Sequence, residues 1–384
     1  MARSGFILFA VALLILSSKT ILAQLQNPRN IPYTWQTDTT KRTVPLSEFK
    51  VAVPKGAFPV LQVPKFIGAR EGLQAYFKHE PVISVVINGK SKAYPLNVLT
   101  VHEIANDTLA GTPILVTYCP LCNASVVYDR RLNQKDRERL LDFGVSGMLR
   151  HSDMVMYDTQ TETWWQQLMG EALVGELAGQ ELKVIPSLVI SVEEFFQRYP
   201  DGQILSPETG IAGGYGQNPY VGYDDPKGLP YESFIDKDKV DRRLPPMERV
   251  VDVESKGKRK VYPFSAISRL GVINDTFNGK HIVVFYKSGT VSVLDEKDIS
   301  KSKNVGTATL FNAVLDGQRL TFQKKGEMFV DQQTGSTWDI TGRSVAGPLK
   351  GKQLRIEPHS NHLAFAWLAF YPESEIYQEN KKAK

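Results

Sequence analysis

From Val82 the chain runs VISVVI, a β-rich stretch that turns at Gly89-Lys90 and predicts a strand ending in a tight turn. After Tyr94-Pro95 the apolar positions Leu96, Leu99, Val101 and Ile104 take helical spacing, and proline suits a first helical turn. A strand is expected from Pro113 to Tyr118, followed by short strands punctuated by Gly and Asp. The amphipathic segment SVEEFFQRYP, from Ser191, closes the series as a helix.

This pattern occurs twice. KAYPLNVLTVHEIANDTLAGTPILVTY from Lys92 returns as KVYPFSAISRLGVINDTFNGKHIVVFY from Lys260, with Tyr94 and Tyr262 lying 168 positions apart (262 − 94). The match continues: Asp158, Gln160, Thr161 and Trp165 correspond to Asp331, Gln333, Thr334 and Trp338. NHLAFAWLAFYP, from Asn361, answers the closing helix. Repetition at this scale predicts an α+β protein of two tandem homologous β-rich domains, an internal duplication built from short antiparallel strands with a few helices. The expected organisation is a signal peptide over 1–23, an extended strap over 24–79, a first repeat over 80–210, a linker over 211–245, a second, degenerate repeat over 246–378 and a solvated tail over 379–384. The linker, rich in Gly, Pro, Tyr and Asp, has loop chemistry, and its tyrosines suggest packing on a domain surface.

Features common to both repeats read as scaffold. The Asp-x-Gln-Thr turns with their tryptophans should be capped turns over core rings. Asn106-Asp107 and Asn274-Asp275 read as helix-stop and turn residues. Features of one repeat are candidates for chemistry. Only the first carries Cys119-Pro120-Leu121-Cys122, and His102-Glu103 becomes Leu270-Gly271 in the second. His151, Met154 and Met156 also belong to the first repeat alone, the methionines reading as core filler. His359 and His362 are read as helix-capping neighbours of Ser360 and Asn361.

The strings HEIANDTLAGTPILVTYCPLCNASVVYDR, GVSGMLRHSDMVMYDTQTETWW and GEALVGELAGQELKVIP, with a YGQNPYVGY linker, resemble the bacterial domain-of-unknown-function family 3179 over nearly the whole mature chain. The resemblance implies that His102, Glu103, Cys119 and Cys122 lie in the family's signature string. It implies Asn at the position of His151, and it carries no activity.

The Cys-x-x-Cys pair has three physical readings. As a metal site, Cys119 and Cys122 supply two thiolates and His102 a third ligand, with Glu103 orienting it; copper(I) suits Cys and Met, and zinc suits two Cys and one His. As a redox pair, Cys119 and Cys122 would be catalytic, with His102 or Glu103 handling protons. A strand after Asn123 argues against a thioredoxin arrangement, in which a helix follows the motif. As a structural disulfide, the pair closes a very short, strained loop within a non-catalytic binding or scaffold module. No phosphate loop, Gly-x-Ser-x-Gly elbow or His-Glu-x-x-His is present. A carboxylate-pair hydrolase would draw first on Glu103, Asp153 and Asp158.

Arg3, the apolar run Phe6–Leu16 and the Ala23-Gln24 junction predict an export signal, the run being short of the ~20 residues a membrane span needs. The expected location is periplasmic or extracellular, with the segment acting as an anchor if it is not cut. The mature chain is then not an integral membrane protein. A net charge of +5, or +3 once Arg3 and Lys19 are removed (5 − 2), offers no electrostatic case for nucleic acid as a partner. The 42% apolar content is enough for folded cores, and two cysteines exclude a disulfide-framework mini-protein.

Overall fold

The computed structural model describes residues 35–134, 137–211 and 214–379; the expected signal peptide and the lysine-rich end of the tail lie outside the described residues. Strands in several sheets dominate, with five α-helices among the described residues: α1 (Ala69–Ala75), α2 (Leu96–His102), α3 (Val192–Arg198), α4 (Phe264–Leu270) and α5 (Ala364–Phe370). This is the α+β class expected. None of these helices is long and apolar enough to cross a membrane.

The turn at Asn88-Gly89 has positive φ at both residues (49° and 75°), which matches the twist of a tight hairpin, and it joins Pro81–Ile87 to Lys90–Pro95. Ser187–Ser191 pairs on one side of this hairpin, and Gln203–Leu205 joins the other in parallel. Arg249–Ser255, Lys258–Pro263, Asn361–Leu363 and Glu375–Ile376 make a sheet of the same order later in the chain. A second sheet holds Ile104–Leu109, Thr112–Cys119 and Ala124–Asp129. A third holds Phe143–Arg150, Asp153–Asp158, Trp164–Gln166 and Ala172–Val174. The segment before Glu80 adds edge strands to all three: Phe49–Val51, Leu61–Gln62 and Phe66–Ile67.

Side-chain contacts recur with the strands. Asp107 Oδ2 accepts from Lys92 Nζ (2.7 Å) and Tyr94 OH (2.6 Å), and Asp275 Oδ2 from Lys260 Nζ (2.7 Å) and Tyr262 OH (2.9 Å). The Asn106 amide spans the backbone N–H and C=O of Phe143, as Asn274 does for Phe322. Both pairs therefore lie inside strands and tie sheets together, which corrects the helix-stop reading. The cause lies three residues upstream: Glu103 adopts φ 58° and Gly271 φ 74°, ending each helix one residue before a strand. Ile104, which kept helical spacing, opens that strand instead. The Asp-x-Gln-Thr turns are scaffold as expected. Asp158 and Asp331 accept from Thr161 and Thr334, and each takes an indole N–H, from Trp165 and Trp338, at 2.9 Å.

Helix α3 starts with a complete capping box between Ser191 and Glu194. Helix α5 does not. Its N-cap is Leu363 without a side-chain bond, so the capping reading of its neighbours fails. Ser360 donates its hydroxyl to the Ser125 carbonyl, while its amide and His362 Nε2 both contact Asp252 Oδ1. These bonds join Asn361–Leu363 to the neighbouring Ala124–Asp129 strand, so the two parts of the chain meet beside the cysteine hairpin.

Candidate functional site

Thr112–Cys119 and Ala124–Asp129 stay in register down to the Cys119–Ala124 pair, and Pro120–Cys122 forms a single 3-10 turn closed by Asn123 at φ 49°. The motif thus sits at a hairpin tip between two strands, as the residues after Asn123 predicted. Both cysteines are buried.

A second hairpin faces this tip. Arg150 pairs with Asp153 across His151 and Ser152, both at positive φ (51° and 67°), a two-residue turn in which Asn is favoured at the position His151 fills. The turn brings the Ser152 carbonyl to 3.3 Å from Cys122 Sγ and 4.0 Å from Cys119 Sγ. Asp153 follows at once. One carboxylate oxygen of Asp153 and the two sulfurs all lie within 4.8 Å of one another. Oδ2 accepts from Gln166 Nε2 (2.6 Å) and the Leu168 amide (3.0 Å). Oδ1 is buried with no hydrogen-bond partner, and the Cys122 thiol lies beside the carboxyl.

Burial dominates the electrostatics. It pushes the Asp153 carboxyl up to about 6 against the pull of Gln166 and Leu168, and it raises both thiols, Cys122 further with Cys119 and Asp153 beside it. Both thiols therefore keep their protons at neutral pH unless a cation replaces them, while the Asp153 carboxyl holds its proton only below about pH 6. Glu103, at the C-terminus of α2, is raised to about 8 by burial first and by Asp153 second.

The other expected site residues divide. His102 points away from the sulfurs: Nδ1 bonds the Pro59 carbonyl and Nε2 lies 2.6 Å from Tyr215 OH. Its two ring nitrogens are both engaged, so His102 is not among the clustered donors, and Asp153 stands in the third position. Glu103 faces a cavity beside the hairpin that Leu121 and Met154 also line. Met156 pairs with Trp165 in the core. His151 packs on Phe370 and lies 3.6 Å from Glu48. Asp158 is committed to its turn, accepting from the Thr161 amide and the Trp165 indole.

Sequence reasoning missed Asp153 as a partner of the thiols, although a signal existed. The spacing that separates Asp158 from Asp331 (331 − 158 = 173) sets Gly326 against Asp153, so this carboxylate, like the cysteines, has no counterpart in the later matching stretch. The same reasoning placed the linker tyrosines on a domain surface but not at the site. Tyr223 is buried against the site, raised by burial and then by Cys122 and Cys119, and it packs on Tyr231 at 4.6 Å. The linker's backbone is bonded to the later part of the chain at Lys297, Asp295 and Leu294. His362 also lies close enough to influence Asp153, with its Nδ1 buried and unpartnered.

The model of the family described as a protein of unknown function, DUF3179, matches residues 55–374. The chain belongs to this family. Both hairpins, the linker and all of the cavity wall except Ala52 and Val53 of this DUF3179 member fall inside the matched span. No curated protein and no solved structure matches the chain.

Proposed function

We propose that this DUF3179 protein is an exported cell-envelope protein with a buried metal centre held by Cys119, Cys122 and Asp153. The observation that carries the reading is the convergence of two sulfurs and a carboxylate within 4.8 Å, with Asp153 Oδ1 buried and unpartnered. An unpaired buried acceptor is costly, and a cation is the partner that would satisfy it and displace the thiol protons burial now favours. Two sulfurs and one oxygen suit zinc better than copper(I), which prefers sulfur alone. Gln166 and the Leu168 amide would orient the Asp153 ligand through Oδ2. No other His, Cys, Asp or Glu among the described residues joins the three, which leaves a fourth position for water or substrate, the pattern of catalytic zinc sites. His102 is then a positioning residue that ties α2 to the linker through Tyr215. The recurrence of contacts in the two parts of the chain supports reading them as a duplication whose second copy kept the framework and lost the site.

One observation favours a second reading, a redox dithiol. The Asp153 carboxylate lies beside Cys122 and could take the thiol's proton as its sulfur attacks a disulfide of a partner protein, the oxidant; Cys119 then displaces the partner, which leaves as a dithiol carrying the two electrons and both protons.

Metal content and free thiols measured on one chelator-free preparation separate the readings. The metal reading expects about one zinc per chain, lost in Cys119→Ser and Cys122→Ser. Full occupancy in Cys119→Ser would sink it. Absence of metal, with thiols appearing only after reduction, would favour the dithiol or a structural disulfide.

A further inference from the structure

Beside the cysteine hairpin lies a cavity of about 180 Å³, and its composition is lopsided. Phe58, Tyr220, Tyr231 and Phe234 contribute four aromatic rings, and aliphatic side chains and two methionines fill most of the remaining wall. Glu103 is the one charged residue lining it, with no Lys, Arg or His. That carboxyl is 7% exposed and makes no hydrogen bond or ion pair within the described residues. Three elements meet here: the C-terminus of α2 supplies Glu103, the segment before Glu80 supplies Phe58, and the linker supplies the other three rings.

Each class of small ligand meets this wall differently. An anion would face Glu103 with no counter-charge. A purely apolar molecule would fill the volume and leave the buried carboxyl without a partner, which is unfavourable. An ammonium carried on an apolar body satisfies both features: the nitrogen reaches the carboxyl, and aromatic faces attract the cation. Size limits the body, since an engineered apolar cavity of ~150 Å³ holds benzene.

We propose that this cavity binds a small organic ammonium about the size of one ring, its nitrogen paired with Glu103 and its body packed on Phe58, Tyr220, Tyr231 and Phe234. The inference goes beyond the metal reading and does not depend on it. Burial now disfavours the ionised carboxyl, and a bound ammonium would restore it. Because Leu121 and Met154 form part of the wall, the ligand would lie next to the cysteine hairpin, and the linker tyrosines would cover it.

Calorimetric titration with benzylamine, benzyl alcohol and benzoate tests this on the full mature chain. Benzylamine should bind at one site with a Kd at or below about 1 mM, and both matched compounds at least about tenfold more weakly. Glu103→Gln, close in shape, should weaken benzylamine about tenfold and bring it level with benzyl alcohol. Tyr231→Leu, at the 42%-exposed rim, should weaken benzylamine several-fold and provides a second variant if Glu103→Gln fails to fold. Cys119→Ser should retain benzylamine affinity, which separates this site from the metal centre. Binding of benzoate or benzyl alcohol as tight as that of benzylamine, unchanged affinity in both variants, or no benzylamine binding would each overturn the proposal.

Discussion

Asp153→Asn should separate what the buried carboxylate costs the fold from what it does for a cation. Its folded value of about 6 stands above the ordinary 3.8. Below about pH 4 both folded and unfolded chains hold the proton, and the carboxyl carries no penalty. Between about pH 4 and pH 6 the unfolded carboxyl ionises and the folded one does not, so stability falls as pH rises; above that window the penalty is constant at ~3 kcal/mol. Asn has no such dependence, and its amide oxygen in the place of Oδ2 can accept from both Gln166 and Leu168. Denaturant unfolding of metal-free protein should therefore show the stability of Asp153→Asn relative to wild type rising by ~3 kcal/mol from about pH 4 to about pH 8, whatever constant offset the amide adds. Added zinc should reverse the advantage, because wild type gains binding free energy that the variant lacks. A stability difference that is flat with pH, or that falls as pH rises, would refute the reasoning about burial. Equal stabilisation of both proteins by zinc would remove Asp153 from the ligand set.

Three further outcomes follow from the geometry. His102→Ala should leave the metal stoichiometry at the wild-type value while loosening the linker at Tyr215, read by metal analysis and by proteolysis near that residue; loss of metal would return His102 to the ligand set. Asp158→Ala strands the buried Trp165 indole N–H and the Thr161 cap and should destabilise by ~3 kcal/mol in denaturant unfolding, with Asp331→Ala behaving alike at Trp338; a change below ~1 kcal/mol would contradict these bonds. Gly147 has φ 79°, and a Cβ there would lie 2.1 Å from the Val53 carbonyl oxygen, so Gly147→Ala should cost at least ~3 kcal/mol and displace the segment around Val53; a near-neutral thermal shift would refute it.

The features legible in the sequence are those decided within a few residues. The strand–turn–strand setting of Cys119 and Cys122 follows from β-branched runs around a proline-containing turn, and the strands before and after it have the same local signature. The capped Asp158 and Asp331 turns could be read because an aspartate bonds the backbone just ahead of it. The end of α2 marks where local reading stops. Leu96, Leu99, Val101 and Ile104 share helical spacing, yet a left-handed turn at Glu103 diverts the chain, moves Asn106 and Asp107 into a strand and separates His102 from the cysteines.

Composition and local pattern determined that this chain folds as α+β and that its two cysteines share one turn between strands. Tertiary structure decided which groups meet there. Asp153 joins the thiols because two hairpin tips face each other across sheets, and Tyr220, Tyr223, Tyr231 and Phe234 become the cover because the linker's backbone bonds to the loop at Leu294, Asp295 and Lys297. Neither contact has a sequence period, since each depends on packing between segments far apart in the chain. The direction of a side chain at such a junction is set by burial and hydrogen-bond satisfaction over the whole fold.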